Sequence, residues 1–183
     1  RKIFKSLSPL MASSSGTCVY QAAALVGAGQ YHGMTLIPQG GSAFWRRVPK
    51  SEDDGTKDTH WGFQYDEKIA AEKNKLPLEV HVWVACVETQ EIIDSSTGDW
   101  VRSCKDLAGL DWPSEPPPEY VWRRFDNPLE DAMYVPHEKA TEQACDAIEQ
   151  IWDHWNRGLQ YVPPGWGEPD KRSHLKEVKQ TDE

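Results

Sequence analysis

Cysteine is scarce in this sequence, and long hydrophobic runs are missing from it. The 183 residues include four cysteines, at positions 18, 86, 104 and 145, with no C-x-x-C pair among them. Such sparse, irregular spacing excludes a disulfide scaffold and a cysteine zinc site, and it favours a reducing compartment, which we expect to be the cytoplasm. No stretch approaches the ~18 uninterrupted apolar residues of a membrane span, so we expect no membrane partner.

Positive charge is also in short supply. Lysine and arginine number 20 against 29 aspartates and glutamates, which gives a net charge of −9. Such a surface is poorly suited to neutralising phosphates, so we expect no nucleic-acid partner. The same excess favours basic or neutral polypeptides, and a protein or peptide substrate is therefore expected. The oligomeric state is left open by the sequence.

The length of the chain fits one domain, because domains usually run to ~100–200 residues. We assign residues 1–166 to a single domain and expect residues 167–183, which are wholly polar and charged, to form an extended or mobile tail. Residues 33–66 are rich in glycine, proline and acidic side chains. That composition predicts long loops, and we interpret the segment as an insertion.

The remaining sequence predicts an α+β fold. A nearly uncharged, alanine-rich run from Cys18 to Val26, followed by Gly27 and Gly29, is typical of a buried helix. A polar helix is expected over 66–74 and an amphipathic helix over 138–157, because apolar residues there recur at spacings of three and four. Alternating or β-branched runs predict a small antiparallel sheet, with strands at 78–87, 91–94, 120–124 and 133–135.

Three residues in these elements have the chemistry of a cysteine nucleophile: Cys18, His81 and Asp94. A thiol attacks as its thiolate, and an ordinary thiol pKa of about 8.5 leaves little thiolate at neutral pH. The start of a helix favours the anion and offers unpaired N–H groups to an oxyanion. A histidine can share the thiol proton while an aspartate on its other nitrogen fixes the tautomer. We therefore predict that Cys18 attacks, His81 is the base and Asp94 orients it.

The same residues resemble the core of transglutaminase-like proteins, within the wider papain-like group. The segments that carry the resemblance are Gly16-Thr17-Cys18 with Ala22 beyond, His81-Val82-Trp83-Val84, and Ile92-Ile93-Asp94-Ser95-Ser96. The resemblance spans about residues 13–97 and implies a Cys, His, Asp triad on a helix and two antiparallel strands. It further implies thioester chemistry on amides, as in peptide cleavage, glutamine deamidation or transfer to an amine. Neither a metal nor an organic cofactor is implied.

Several assignments have competing alternatives. A hairpin turn at residues 87–88 places Asp94 opposite His81, whereas a turn centred on residue 90 places Asp99 there. We choose Asp94 because it ends an apolar strand. Trp61 and Trp83 are predicted to contact substrate. The second oxyanion donor is open, with Trp61, His60 and Gln39 as candidates. The alternative function is a catalytically inactive protein- or glycan-binding module that uses its loop tryptophans; a structural subunit is a further possibility.

Overall fold

Three α-helices and six β-strands make up the part of the chain that the computed structural model describes, namely residues 17–47, 59–68, 80–109, 111–112, 116–127 and 131–157. In chain order they are α1 (Thr17–Tyr31), β1 (Leu36–Arg47), β2 (Thr59–Phe63), β3 (His81–Cys86), β4 (Glu91–Asp94), α2 (Trp100–Ala108), β5 (Val121–Arg124), β6 (Ala132–Pro136) and α3 (Glu138–Asn156). A single 3₁₀ turn, Thr97–Asp99, precedes α2. The predicted α+β class is therefore confirmed.

The six strands form one curled antiparallel sheet. Its order is β2-β1-β3-β4-β5, and β6 also pairs with β1. β1 is 12 residues long. Its first half pairs with β3, while its second half pairs with both β2 and β6. β1 consequently joins the β3–β4 hairpin to β2 and β6.

The prediction of loops over residues 33–66 was wrong at both β1 and β2. Gly40 and Gly41, which the sequence offered as loop signals, lie inside β1 and permit a close backbone approach. A Cβ atom on Gly40 would overlap the backbone carbonyl of Ala140, and one on Gly41 would overlap that of Val135. The backbone N–H of Gly40 donates to the Thr141 hydroxyl at 3.0 Å. The two glycines thus allow α3 and β6 to pack directly on β1.

One face of the sheet packs against α1 and α3. The predicted buried helix is confirmed, but α1 continues through Gly27 and Gly29 and ends at Tyr31. α3 also lies where expected, although Trp155, placed on its apolar side by spacing, is exposed. The Trp152 indole N–H donates to the Ala23 carbonyl at 3.1 Å and ties α3 to α1. The main core contains Val19, Ala22, Ala23, Leu25, Val26, Val80, Val82, Val84, Ile93, Ala140, Ala144, Ile148 and Ile151.

An aromatic cluster forms a second core. Trp45 and Trp100 are buried in it with Ala43 and Val121, and Trp61, Phe63, Trp112 and Tyr134 pack around them. The helix α2, which the sequence did not predict, brings Trp100 to this cluster. Trp45, Trp61, Trp100 and Trp112, which we expected in or near loops, therefore contribute to a core. Trp122 remains 41% exposed.

The predicted strands and helices outside these regions lie close to their expected bounds. β4 matches its prediction, β5 and α3 differ from theirs by one residue at one end, and β6 differs by one residue at each end. Positions 78–79 of the predicted strand, positions 69–74 of the predicted polar helix and the tail at 167–183 lie outside the described residues. Among the described helices, none has both the length and the apolar character that crossing a membrane requires.

Candidate active site

Cys18 lies in the first turn of α1, at the edge of the main core. Its side chain is 8% exposed and lines a pocket together with Val19, Val80 and His81. The first N–H groups of a helix have no acceptor within that helix. The backbone N–H groups of Cys18 and Val19 are therefore free of helical hydrogen bonds beside the thiol, as the sequence predicted for an oxyanion site.

His81 begins β3 and is held by an aromatic enclosure and one carboxylate. Its ring is 1% exposed. It stacks on Phe63 with the centroids 5.2 Å apart and meets the Trp100 ring edge-on at 5.1 Å. Nε2 lies 2.7 Å from Oδ2 of Asp94. The Nδ1 atom is buried and has no hydrogen-bond partner within the described part of the chain.

Asp94 ends β4 and accepts four hydrogen bonds in a fully enclosed position. Oδ2 accepts from His81 Nε2 at 2.7 Å and from the Tyr134 hydroxyl at 2.8 Å. Oδ1 accepts from the Ser96 backbone N–H at 2.9 Å and from the Ser96 hydroxyl at 2.7 Å. A buried carboxylate with this many donors is stabilised as the anion.

The hairpin register decides between Asp94 and Asp99. The turn runs over residues 87–90, and Val84 pairs with Ile93, so Asp94 lies opposite Trp83. Both predicted turns were therefore wrong, and Asp94 reaches His81 diagonally on the same face of the sheet. Asp99 instead accepts from the Thr17 hydroxyl at 3.2 Å and from Arg102 at 3.0 Å. The structure thus brings Asp94, and not Asp99, to the imidazole.

The electrostatics of this pair favour an imidazolium next to a carboxylate. Burial is the largest influence on His81 and would lower its pKa, but the charge and hydrogen bond of Asp94, and then the neighbouring Cys18 thiol, raise the pKa to about 10. Burial likewise pushes the pKa of Asp94 upward, yet His81 and Ser96 outweigh it and leave that pKa below its ordinary value. Both groups are therefore charged at neutral pH.

The pocket at Cys18 is small and two-sided. Its volume is about 20 Å³, which is room for about one water molecule. Phe63 and Trp100 form an aromatic side, and the Trp100 Nε1 atom is buried without a hydrogen-bond partner in the described residues. The polar side is formed by Thr17, Ser96, Asp99 and Ser103. Cys18, His81 and these hydrogen-bonding groups therefore line one pocket the size of a single functional group.

The other predicted site residues lie outside the lining of this pocket. Trp61 packs edge-on against Trp100 and Trp112 in the aromatic cluster. Trp83 is 2% exposed and packs against Tyr134. Of the open oxyanion candidates, His60 is exposed and the Gln39 amide donates to the Pro38 carbonyl. Trp61 and Trp83 support the enclosure around His81 in this conformation.

Four residues around the His81–Asp94 pair were not identified from the sequence: Phe63, Ser96, Trp100 and Tyr134. Ser96 carried a local signal, because a serine two residues after an aspartate commonly bonds to that carboxylate. Tyr134 carried none, since it comes from a strand 40 residues beyond Asp94.

Comparisons with known proteins add little information about this site. No family model matches the chain, and no curated protein matches it. A crystal structure described as genomics APC5867 is similar, with a TM-score of 0.44 and 16% sequence identity over 98% of this chain and 78% of that one. Within the described residues, no group of three or more histidine, cysteine, aspartate or glutamate side chains could hold a metal ion.

Proposed function

We propose that this chain is a cysteine acyl hydrolase or acyltransferase that acts on amide bonds through Cys18, His81 and Asp94. One observation carries the proposal: Asp94 binds Nε2 of His81 in a dry site, while the unpaired Nδ1 belongs to a ring that shares the pocket with Cys18. The order of the three residues, with a buried helix packed on antiparallel strands, supports a papain-like, transglutaminase-like core.

The charge state of His81 supports the role of Cys18 as the nucleophile. With a pKa of about 10, His81 is protonated at neutral pH, and a cation beside a thiol favours the thiolate. The dipole of α1 acts in the same direction at Cys18. A substrate carbonyl then meets a sulfur beside a cation and a helix start, both of which favour its role as the nucleophile.

The proposed reaction has two steps. Sγ of Cys18 attacks the carbonyl carbon, the C–N bond breaks, and His81 gives its proton to the departing amine as a thioester forms. Water or an amine then attacks the thioester, His81 takes its proton, and the C–S bond breaks to restore the thiolate. Backbone N–H groups at the start of α1 stabilise the oxyanion of each tetrahedral intermediate.

The substrate that fits best is an amide carried on a polypeptide. The pocket admits little more than the reacting group, so the remainder of the substrate lies outside it. A net charge of −9 favours neutral or basic polypeptides. A thiol that must stay reduced functions best in a reducing compartment, and we accordingly propose the cytoplasm.

Site-resolved alkylation tests the proposal, because the four free cysteines act as mutual controls. Iodoacetamide at about pH 6 should label Cys18 at least roughly tenfold faster than the other three, since only its thiol lies beside a protonated imidazole at a helix start. Cys145 is the matched control: it is half-buried, and burial together with Asp146, Glu149 and Glu142 raises its pKa. It should react slowly despite its greater exposure.

Two results of this experiment would oppose the proposal. Equal, slow labelling of all four thiols would favour a non-catalytic binding module, for which the exposed Trp122 and Phe125 on and beside β5 offer a surface. Fast labelling of Cys18 that survives the substitution His81→Gln unchanged would show that the imidazole does not activate the thiol. Circular dichroism of each variant verifies that it is folded.

A further inference from the structure

Tyr134 contributes the only side chain of β6 that reaches the charged pair in the described structure. Its hydroxyl donates to Asp94 Oδ2 at 2.8 Å, the same oxygen that binds His81. The Tyr134 ring packs against Trp83 at 5.2 Å and against His81 at 6.3 Å. Met133 and Val135, its neighbours in β6, are exposed. Tyr134 therefore points inward, whereas its two neighbours in the strand point outward.

We propose that Tyr134 is a positioning residue that keeps the proton of the His81–Asp94 pair on the imidazole, and so keeps a cation beside the Cys18 thiol. This inference rests on the proposed function. It adds a fourth member, from a distant strand, to the three residues that the sequence identified.

The physical reason is the competition between two states of a buried pair. Away from water, an imidazolium–carboxylate pair competes with a neutral pair in which the proton has moved to the aspartate. Hydrogen bonds donated to the carboxylate stabilise only the charged state, because a protonated oxygen accepts them less well. Tyr134 donates to the very oxygen that would receive the proton from His81. Removing that donor shifts the pair toward its neutral state.

Tyr134 is suited to this task because it does not ionise itself. Burial first, and then the charge and hydrogen bond of Asp94, raise the pKa of Tyr134 well above its ordinary value. Its hydroxyl therefore stays a donor. The other titratable or charged groups around the pair, in the described residues, are Cys18 from α1, Asp99 from the 3₁₀ turn and Arg102 from α2, which is bound to Asp99.

The substitution Tyr134→Phe tests the inference, and Tyr65→Phe is its matched control. Tyr65 is also a buried tyrosine, but its hydroxyl has no hydrogen-bond partner in the described structure. Two readouts are needed: the protonation of the His81 ring at neutral pH by nitrogen NMR, and the pH profile of Cys18 alkylation by iodoacetamide. In Tyr134→Phe the His81 nitrogen shifts at neutral pH should move from imidazolium values toward neutral-imidazole values, because a donor that stabilises the Asp94 carboxylate is lost. Alkylation at about pH 6 should slow by roughly tenfold.

The readouts separate failure of this inference from failure of the proposed function. If Tyr134→Phe matches the wild type and Tyr65→Phe in both, the inference is overturned while the role of Cys18 stands. If the wild-type thiol is unreactive in acid, the proposed function fails, and with it the reaction role of Tyr134. Should Tyr134→Phe not fold, Ser96→Ala removes the other side-chain donor to Asp94 and should move both readouts in the same direction; no movement would again overturn the inference.

Discussion

His81 owes its charge mainly to Asp94. Enclosure by Phe63 and Trp100 would leave an isolated imidazole neutral, and Asp94, followed by Cys18, reverses this tendency. The two opposing influences are both large because the site is dry. At the scale of residues, the proposed reactivity of the thiol therefore depends on a carboxylate that binds the imidazole.

Replacing Asp94 should cost far more stability than replacing Asp99. Asp94→Asn leaves His81 without its counter-charge inside the protein, and breaking a buried pair costs about 3–5 kcal/mol. Asp99→Asn removes a partly exposed pair with Arg102, which is worth less than about 1 kcal/mol. Urea unfolding of both variants at neutral pH measures the difference. Similar losses in the two variants would show that the His81–Asp94 pair contributes little to the fold.

The proximity of Cys18, His81 and Asp94 could be predicted from sequence because each lies beside a local signal. Cys18 follows hydroxyl residues at a helix start, and His81 and Asp94 belong to adjacent apolar strands. Asp94, chosen because it ends an apolar strand, does bind His81, although neither predicted hairpin turn has the observed register. Tyr134 and Trp100 could not be predicted, since only the packing of distant elements brings them to His81.

Among the elements, β1 shows where sequence patterns were misleading. Its Pro38 and Gly40-Gly41 suggested loops, because proline and glycine usually interrupt strands. Yet these glycines are required by the neighbouring backbone of α3 and β6. A local sequence pattern cannot distinguish a glycine that forms a turn from a glycine that lets a neighbouring backbone approach closely. The helices α1 and α3 and the strand β4 were predictable because their patterns agree with their packing.

Two glycine substitutions should therefore act in opposite directions. Gly40→Ala forces a methyl group into the Ala140 backbone and should strongly destabilise or unfold the protein. Gly27→Ala lies inside α1, where a Cβ meets only the Trp152 indole nitrogen at 4.0 Å. It should stabilise by about 0.5–1 kcal/mol through helix propensity and reduced unfolded-state entropy. Thermal unfolding by circular dichroism compares them; a tolerated Gly40→Ala would contradict the close approach of α3 to β1.

In the molecule as a whole, the site lies where two cores meet. Cys18 belongs to the core between α1, α3 and the sheet, and the ring of His81 contacts the aromatic cluster around Trp100. β3 carries both surfaces, because alternate residues of a strand point to opposite faces. The alignment of thiol and imidazole therefore requires both cores to be formed.

The buried pair should make the stability of the whole protein depend on pH. The pKa of His81 rises from 6.5 to about 10 on folding, so its contribution is complete below about pH 6.5 and is lost as the pH approaches about 10. The pKa of Asp94 is lowered from 3.8, so its contribution is present above that value and is lost in acid. The difference in unfolding free energy between wild type and Asp94→Asn should be largest between the ordinary pKa of Asp94, 3.8, and the ordinary pKa of His81, 6.5. A constant difference across the range would contradict the assigned charges.

Trapping of an acyl group on Cys18 is the most direct test of the proposed chemistry. The protein is treated briefly with p-nitrophenyl acetate, quenched in acid and analysed by peptide mass spectrometry. We expect the acetyl group on Cys18, with Cys86, Cys104 and Cys145 unmodified, and at least roughly a hundredfold less adduct in a folded His81→Gln variant. Acetylation spread evenly over the four cysteines, or absent from Cys18, would contradict its assignment as the nucleophile.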